Sequence, residues 1–491
     1  MTARAQPSNA SCLAGRKVII AGAGIAGLAF AVSLKSLWTV DMGKPPQVVI
    51  YERGSEASNA RSDGYSIGIR SGKLIGGKQA LQHMGLWSQI LDDSITRDSD
   101  EHGYSGLWSL DWRRFAKLRR ASCKNGPQVS LRIARVKLRE QLLNAAQQGA
   151  EVVWEVSCIS AVPTSEGRTR VVLSDGSEEE CDVLVVADGA NSRIRACIRP
   201  DDCLNFAGPV SIAAVSNFPG PLPKPVSRDW GIVPSGSGVA LFASSMGEGT
   251  ANWSLSYLSE APREECRQPL TPEASAKLLQ EAAERGKPFQ EPFQTLLKNS
   301  DKDTVMVFNA MDKQPFAHGI ANGVPTGIIF IGDSNHAVSP FAGSGANLAL
   351  QDGWDLAECL CTYAMLEKAV AAYDARSMPR ASVSLRKSHT SIKITHSSGL
   401  EWAVWECLLL GMGKALSLRY KCEDVFASLH EVFMRLPAHA IRHLRLRSVP
   451  IGCRYIQSGE VHPHDMKKPL RFPDPSDRVW RRSSQSENSM Q

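Results

Sequence analysis

Apolar residues in this chain gather into three runs, each of which ends in a glycine turn and is followed by a helix-like pattern. The first run, Val18-Ile-Ile-Ala21, is short and rich in β-branched residues, the pattern of a strand buried on both faces. Gly22, Gly24 and Gly27 follow at GxGxxG spacing, and Leu28 to Leu34 is small and apolar enough for a tightly packed helix. The second run, Cys181 to Ala187, leads into Asp188-Gly189 and a helix opened by the capping-type Ser192. The third, Gly327 to Gly332, leads into Asp333, a glycine-rich turn and a helix expected over 346–366.

Between these runs the pattern predicts a strand at Gln47 to Tyr51, a helix from Gly77 stopped at Gly85, and a helix over Leu131 to Gln147. Strands follow at Glu151 to Val156 and Thr169 to Leu173, with a turn at Ser174-Asp-Gly176. Over 204–260 the chain changes to alternating strands with Pro and Gly turns, which reads as a separate mixed or antiparallel sheet. Thr271-Pro-Glu273 carries a cap and an N1 proline for a helix reaching about Arg285, and Val305 to Asn309 reads as a strand. Residues 91–128 show little periodicity, and the chain beyond 376 is mostly helical, with a Trp- and Leu-rich stretch at 400–410.

The first glycine turn carries a specific chemistry. Gly22 permits the sharp exit from the strand, Gly24 lets a diphosphate approach the backbone, and Gly27 lets the helix sit close to the sheet. The helix N-terminus offers unpaired N–H groups and partial positive charge to phosphates. The strand at Gln47 to Tyr51 ends on Glu52, followed by Arg53, roughly 25 residues past Gly27, where a carboxylate can accept ribose hydroxyls. A GxGxxG alone is weak; placed between strand and helix and followed by this acid, it points to a dinucleotide.

Composition narrows the class. The 491 residues suffice for two or three domains, and 43% hydrophobic with 22% charged residues is ordinary for a globular protein. A net charge of +6 is small for this length and gives no footprint for nucleic-acid binding. The twelve cysteines show no CxxC pair, and Cys359 with Cys361 has the wrong spacing for zinc, so reduced thiols in a cytoplasmic protein and no metal are expected. Met1 to Gly15 lacks the apolar core of a signal peptide, and residues 1–14 are expected to be a disordered leader. No membrane span is expected, because the most apolar long stretch, Leu400 to Leu418, is broken by Glu401, Glu406 and Lys414.

The three glycine turns, in this order and spacing, resemble those of the class A FAD-dependent monooxygenases, the para-hydroxybenzoate-hydroxylase-like group. Gly22, Gly24, Gly27 and Glu52 resemble its ADP-binding motif, Asp188-Gly189 its DG motif, and Gly332-Asp333 with Pro340, Gly343, Gly345 and Asn347 its GD motif and flavin loop. Met311-Asp-Lys-Gln-Pro315 and Pro340-Phe-Ala-Gly-Ser-Gly345 look like the tetracycline-inactivating branch. The resemblance implies an α/β fold: a Rossmann-type FAD-binding domain with a parallel sheet (15–90, 129–203 and 304–375) interleaved with a mixed or antiparallel-sheet substrate domain (91–128 and 204–303). A C-terminal helical region (376–477) and a disordered tail (478–491) complete the expected chain.

By position, the resemblance assigns Asp333 to the ribityl chain, Gly345, Ala346 and Asn347 to the flavin ring, and Gly68 and Arg135 to further cofactor contacts. Asp188 and Gly189 are assigned to the diphosphate and the nicotinamide access route. It implies that NAD(P)H, a transient electron donor, reduces FAD, and that O2 forms a C4a-hydroperoxide that hydroxylates an aromatic or polycyclic small molecule, as in secondary metabolism. No catalytic acid or base carries over, because Phe206 to Ala214 departs from the family pattern. His336 reads as structural, and Trp230, Phe242, Trp253 and Phe341 are aromatic pocket candidates for which core packing is the plainer reading. A flavin-dependent halogenase stays open through the partial echo Asp229-Trp-Gly-Ile-Val-Pro234, as do a non-oxygenating oxidase or reductase and a flavin-binding scaffold.

Overall fold

The computed structural model describes residues 11–415 and 418, except 57–64, 73–74, 96–104, 113, 118–121, 124–125, 128–130, 228–229, 248 and 265–269. From the N-terminus the elements are β1 (Lys17–Ala21), α1 (Ile25–Leu37), β2 (Gln47–Glu52), β3 (Ser66–Ile69), α2 (Gly77–His83) and α3 (Trp87–Asp92). Then come β4 (Ser105–Trp108), β5 (Arg114–Lys117), β6 (Ser122–Cys123), β7 (Gly126–Pro127), β8 (Leu131–Ala134) and α4 (Arg135–Ala146). They are followed by β9 (Glu151–Trp154), β10 (Cys158–Pro163), β11 (Thr169–Leu173), β12 (Glu178–Cys181), β13 (Val183–Val186) and α5 (Arg193–Ile198). The next group is β14 (Asn205–Asn217), β15 (Trp230–Pro234), β16 (Val239–Gly247), β17 (Thr250–Leu258), α6 (Pro272–Arg285) and α7 (Phe293–Lys298). Last are β18 (Met306–Asp312), β19 (Ile328–Phe330), α8 (Asp333–His336), α9 (Gly345–Thr362) and α10 (Leu366–Thr395).

Among the described residues, a parallel sheet runs in the order β19-β13-β1-β2-β9. Its strands are apolar on both faces, as expected for a covered parallel sheet. Val18 and Ile20 join the core beneath α1, α4 and α9, whereas Ile19 and Ala21 join the core on the other face, with β10–β12. The second large sheet has the order β18-β14-β17-β16-β15-β4-β5 and is antiparallel apart from the β15–β4 pair. Its outer face, with Val210, Ile212, Leu241, Trp253 and Leu255, packs on α6 and α7. Its inner face carries Phe242, Ser244 and Asn252 toward the small β3–β8 sheet, where Ser66 Oγ lies 3.2 Å from both Ser244 Oγ and Asn252 Oδ1.

The expected α/β architecture with two interleaved sheets is present, with corrections of detail. Leu131 to Ala134, expected as the first turn of a helix, is strand β8 paired with β3, and the helix starts at Arg135. β18, grouped by sequence with the FAD-binding segment, pairs with β14 in the second sheet. The disordered leader expected over 1–14 does not extend through its last residues. Leu13 is fully buried, Cys12 N donates to Tyr363 O, and Ser11 Oγ donates to Leu360 O at 2.9 Å. Helix α10 begins at Leu366 and runs through 376, packing on α9 and on the turn at Pro340–Ala342. Residues 399–415 form a further helix, whose Trp402 packs edge-on to Phe115 at 6.0 Å. No helix among the described residues is long and apolar enough to cross a membrane. The rest of the expected leader, the 478–491 tail and most of the 376–477 region lie outside the described residues.

Candidate functional site

The carboxyl ends of β1, β13 and β19 lie side by side, and all three glycine turns leave from that edge. Gly22 has φ +102°, and a Cβ there would sit 2.6 Å from Ala187 O, so only glycine lets the first turn nest against the second. A Cβ at Gly27 would lie 2.2 Å from Gly22 O, which fixes helix α1 close to the strand end. Gly24 differs: the nearest atom to a Cβ there is Ala187 O at 4.0 Å, so the backbone faces open space. As N-cap of α1 it has no side chain to offer the helix, whose first N–H groups therefore point into that space.

Glu52 stands at the end of the neighbouring strand. Its Oε2 accepts from Ala23 N at 2.8 Å and its Oε1 from Gly54 N at 2.9 Å. Arg139 reaches the same spot from α4, donating from Nε to Ala23 O at 2.7 Å and lying 3.6 Å from Glu52. Glu52 thus secures the glycine turn itself, and lone pairs remain on both oxygens for ribose hydroxyls. Arg139 was not singled out from the sequence; its signal was its position one turn after Arg135 on the same predicted helix. Arg53 is exposed beside it.

At the second turn Asp188 Oδ2 accepts from Arg193 N at 3.1 Å. Its Oδ1 is buried with no partner among the described residues. Burial raises the Asp188 carboxyl above its ordinary value, against hydrogen bonds from Ser192 and nearby backbone that pull it down. Gly189 has φ +87° with open space where a Cβ would point.

At the third turn Gly332 has φ +59°, and a Cβ there would be 3.0 Å from the Ala26 Cβ of α1, so the GD turn abuts the dinucleotide turn. The Asp333 carboxylate is solvent-accessible, yet desolvation by surrounding protein raises its pKa, with His336 and Arg135 opposing. Behind the turn, Asp352 accepts from Gly332 N at 3.0 Å and from Arg380 at 2.7 Å, and lies 2.7 Å from His336 Nε2. Burial alone would raise the Asp352 carboxyl, but His336 and Arg380 outweigh it and hold it well below the carboxylate range. His336 is thereby a structural residue of the GD turn.

Asn347, expected against the flavin ring, spends its side chain elsewhere. Its Oδ1 accepts from Arg70 N at 2.8 Å and its Nδ2 donates to Gly68 O at 2.8 Å, clamping β3 onto the first turn of α9. Gly68 is therefore positioned by Asn347, and Gly345 and Ala346 open α9 beside it. The α9 N-cap, Ser344, does not cap its helix; its hydroxyl pairs with Ser384 of α10. The first N–H groups of α9 are left for an external acceptor. Of the four aromatic candidates, Trp253 is core: it is fully buried, edge-on to Phe293 at 5.7 Å, with Nε1 donating to Ser300 Oγ. Phe242 lies under the Arg132 guanidinium at 5.4 Å, and Phe341 is edge-on to His396 at 5.3 Å; both are partly exposed, as is Trp230.

These residues fit FAD. An uncapped helix N-terminus meets a glycine with room in front of it, a carboxylate oxygen is buried without a partner among the described residues, and a second carboxylate is exposed at the third turn. A diphosphate, a ribose and a ribityl chain would meet those groups in turn. Comparison with known proteins agrees. Residues 16–387 match the FAD binding domain family. Monooxygenase cfoF of Aspergillus candidus is 36% identical over 399 residues, covering 79% of this chain and 93% of its own. The fold matches Klebsiella pneumoniae HpxO, solved with FAD and uric acid, at TM-score 0.65 and 17% identity over 84% of this chain and 96% of that one. It also matches the tetracycline destructase Tet(51), at TM-score 0.57 and 17% identity over 82% of this chain and 98% of that one. The chain belongs to the FAD binding domain family and is a class A FAD-dependent monooxygenase.

Proposed function

We propose that this enzyme uses NAD(P)H and O2 to hydroxylate an aromatic or polycyclic small molecule in secondary metabolism, in the cytoplasm. The observation that carries the reading is the meeting of Gly24, Asp188 and Asp333 at one sheet edge, with the inner face of a second sheet beyond them. Bound FAD supplies the redox chemistry, accepting electrons from NAD(P)H and delivering them to O2. The chain's own residues bind and orient. The α1 N-terminus and Gly24 take the diphosphate, Glu52 and Arg139 the adenosine ribose, and Asp333 with Arg135 the ribityl side. The N–H groups at Gly345 and Ala346 would hold the flavin ring and stabilise the negative charge it carries when reduced. The inner face of the second sheet at Phe242, together with Phe341 of the Pro340–Ala342 turn, excludes water and orients the substrate. Among the described residues the single GxGxxG turn is occupied by this role, which favours transient docking of the nicotinamide near Asp188-Gly189 over a second nucleotide domain. Uric acid in the HpxO complex is a precedent for a small heteroaromatic ligand on this fold.

The test is direct. The purified protein should be yellow, release FAD on denaturation, and oxidise NAD(P)H faster when the right aromatic is added. Product made under isotopically labelled O2 should gain one labelled oxygen atom. Turnover without label in the product would instead make the enzyme an oxidase or reductase.

A further inference from the structure

The helix of residues 399–415 is apolar on both sides. Its inner side docks on the second sheet and on α10. A Cβ on Gly236, in the turn between β15 and β16, would lie 2.5 Å from Trp402 Cδ1, and Ser398 forms a β-bridge with Ser237 of the same turn. Leu409 is buried and lines a groove with Ile232 of β15 and Ile394 of α10. The outer side carries Leu400, Val404, Leu408 and Met412 at i, i+4 spacing, and they are 88%, 60%, 58% and 47% exposed. A helix that is apolar all round is normally covered on every side, and a contiguous exposed apolar strip marks a contact surface.

The outer side is complementary to itself when reversed. Set antiparallel to a second copy about a centre between Cys407 and Leu408, it brings Leu400 level with Ala415 of that copy, Val404 with Gly411, Leu408 with Cys407, and Met412 with Ala403. Each level joins one large and one small side chain, so the two axes keep an even spacing along about 25 Å. The charges agree with the same arrangement. Exposed Glu401 stands near the start of the helix and exposed Lys414 near its end, while half-buried Glu406 follows Trp402 by one turn on the inner side. Antiparallel pairing puts Glu401 of one copy at the same end as Lys414 of the other, twice by symmetry, and opposes the helix dipoles. Parallel pairing would set Glu401 level with Glu401. Glu401 already lies 3.7 Å from Lys393, an exposed pair that leaves it open to a second cation. A lipid surface fits less well, since interfacial helices carry rows of Lys or Arg beside Trp on the membrane side. Here Trp402 faces the protein, and Lys414 is the one cation of residues 399–415.

We propose that the outer side of this helix is a two-fold interface with a second copy of the chain, the two helices lying antiparallel. The same strip serves both copies, so assembly closes at a dimer. One helix pair is small beside a standard interface of roughly 1,200–2,000 Å², so monomer and dimer should exchange at about 1–100 µM.

The test uses full-length, FAD-loaded enzyme. Sedimentation velocity across that concentration range should show monomer giving way to dimer. Leu408→Glu, which sets two like charges at the centre of the pair, should stay monomeric at about 100 µM and keep its FAD content. Glu401→Lys and Lys414→Glu should each weaken the dimer by about threefold or more at low salt, and the double reversal should restore it. Cys407 is an exposed free thiol within one residue of the proposed axis, so a short bismaleimide should join two chains, and Cys407→Ser should abolish that product. A monomer throughout the range, a dimer untouched by Leu408→Glu, or no product that depends on Cys407 overturns the assignment. A monomer that binds phosphatidylcholine–phosphatidylserine vesicles through Leu408 would make the strip a lipid contact instead. A monomer whose Cys407 resists maleimide would mean that residues 419–491 cover it. None of these results bears on flavin content or labelled-oxygen incorporation, which test the reaction.

Discussion

Asp352 is the buried charge on which the GD turn hangs, and replacing it with asparagine gives a prediction with a defined size. Asp352 and Arg380 are both almost fully buried, 2.7 Å apart, and Arg380 also meets Asp355 at 2.6 Å. Removing one partner of a buried ion pair costs roughly 3–5 kcal/mol, because the other charge stays buried without compensation. In Asp352→Asn the Arg380 charge keeps Asp355, so the loss should fall at the lower end, about 3 kcal/mol. Arg380→Met leaves Asp352 against His336 and Gly332 N and should cost a similar amount, and the double variant should cost less than the sum. The assay is urea unfolding followed by circular dichroism on the FAD-free protein. The pH dependence has a fixed sign. The folded pKa of Asp352 lies below its unfolded value of about 3.9, so its stabilisation is fully present above that value and is lost as pH falls through the folded pKa. The difference between wild type and Asp352→Asn should shrink below about pH 4 as the carboxylate takes up its proton. A loss under about 1 kcal/mol at neutral pH, or one that grows in acid, refutes the reasoning.

Three further outcomes follow from the site. Gly27→Ala must move α1 off the sheet and should lower the urea midpoint, whereas Gly24→Ala should fold normally and lose FAD affinity by about tenfold or more, read by cofactor fluorescence. Asp333→Asn removes a carboxylate that has no ion-pair partner among the described residues, so the apoprotein should be as stable as wild type or more so while FAD binding weakens, checked by paired unfolding and reconstitution. Trp253→Ala should cost about 3–5 kcal/mol of stability, whereas Phe242→Ala should cost less and instead raise the substrate concentration needed for half-maximal turnover.

The parts legible in the sequence were those whose signal is local. Val18 to Ala21 announces a strand covered on both sides because every residue is apolar, and the glycines at 22, 24 and 27 stand at the spacing of a phosphate turn, although only Gly27 answers a steric need a few residues away. Non-local pairing left weaker marks. β8 looks helical because Leu131, Arg132 and Arg135 fit either period, and only its partner β3 decides the matter. β4 and β5 are four-residue strands in a polar stretch, stabilised by pairing with β15 and with each other rather than by their own pattern. At the site, the motif position of Asn347 gave no sign that its amide clamps Gly68 and Arg70.

The strand order β19-β13-β1 has a consequence for how the enzyme is made. The clamp from Asn347 to Gly68 joins positions 279 residues apart, and the parallel sheet stays incomplete until β19 has left the ribosome. A nascent chain therefore carries an exposed, apolar β13 edge through the synthesis of the whole second sheet. Cofactor capture should therefore come late in biogenesis, because a fragment ending before Ile328 lacks both β19 and the third glycine turn.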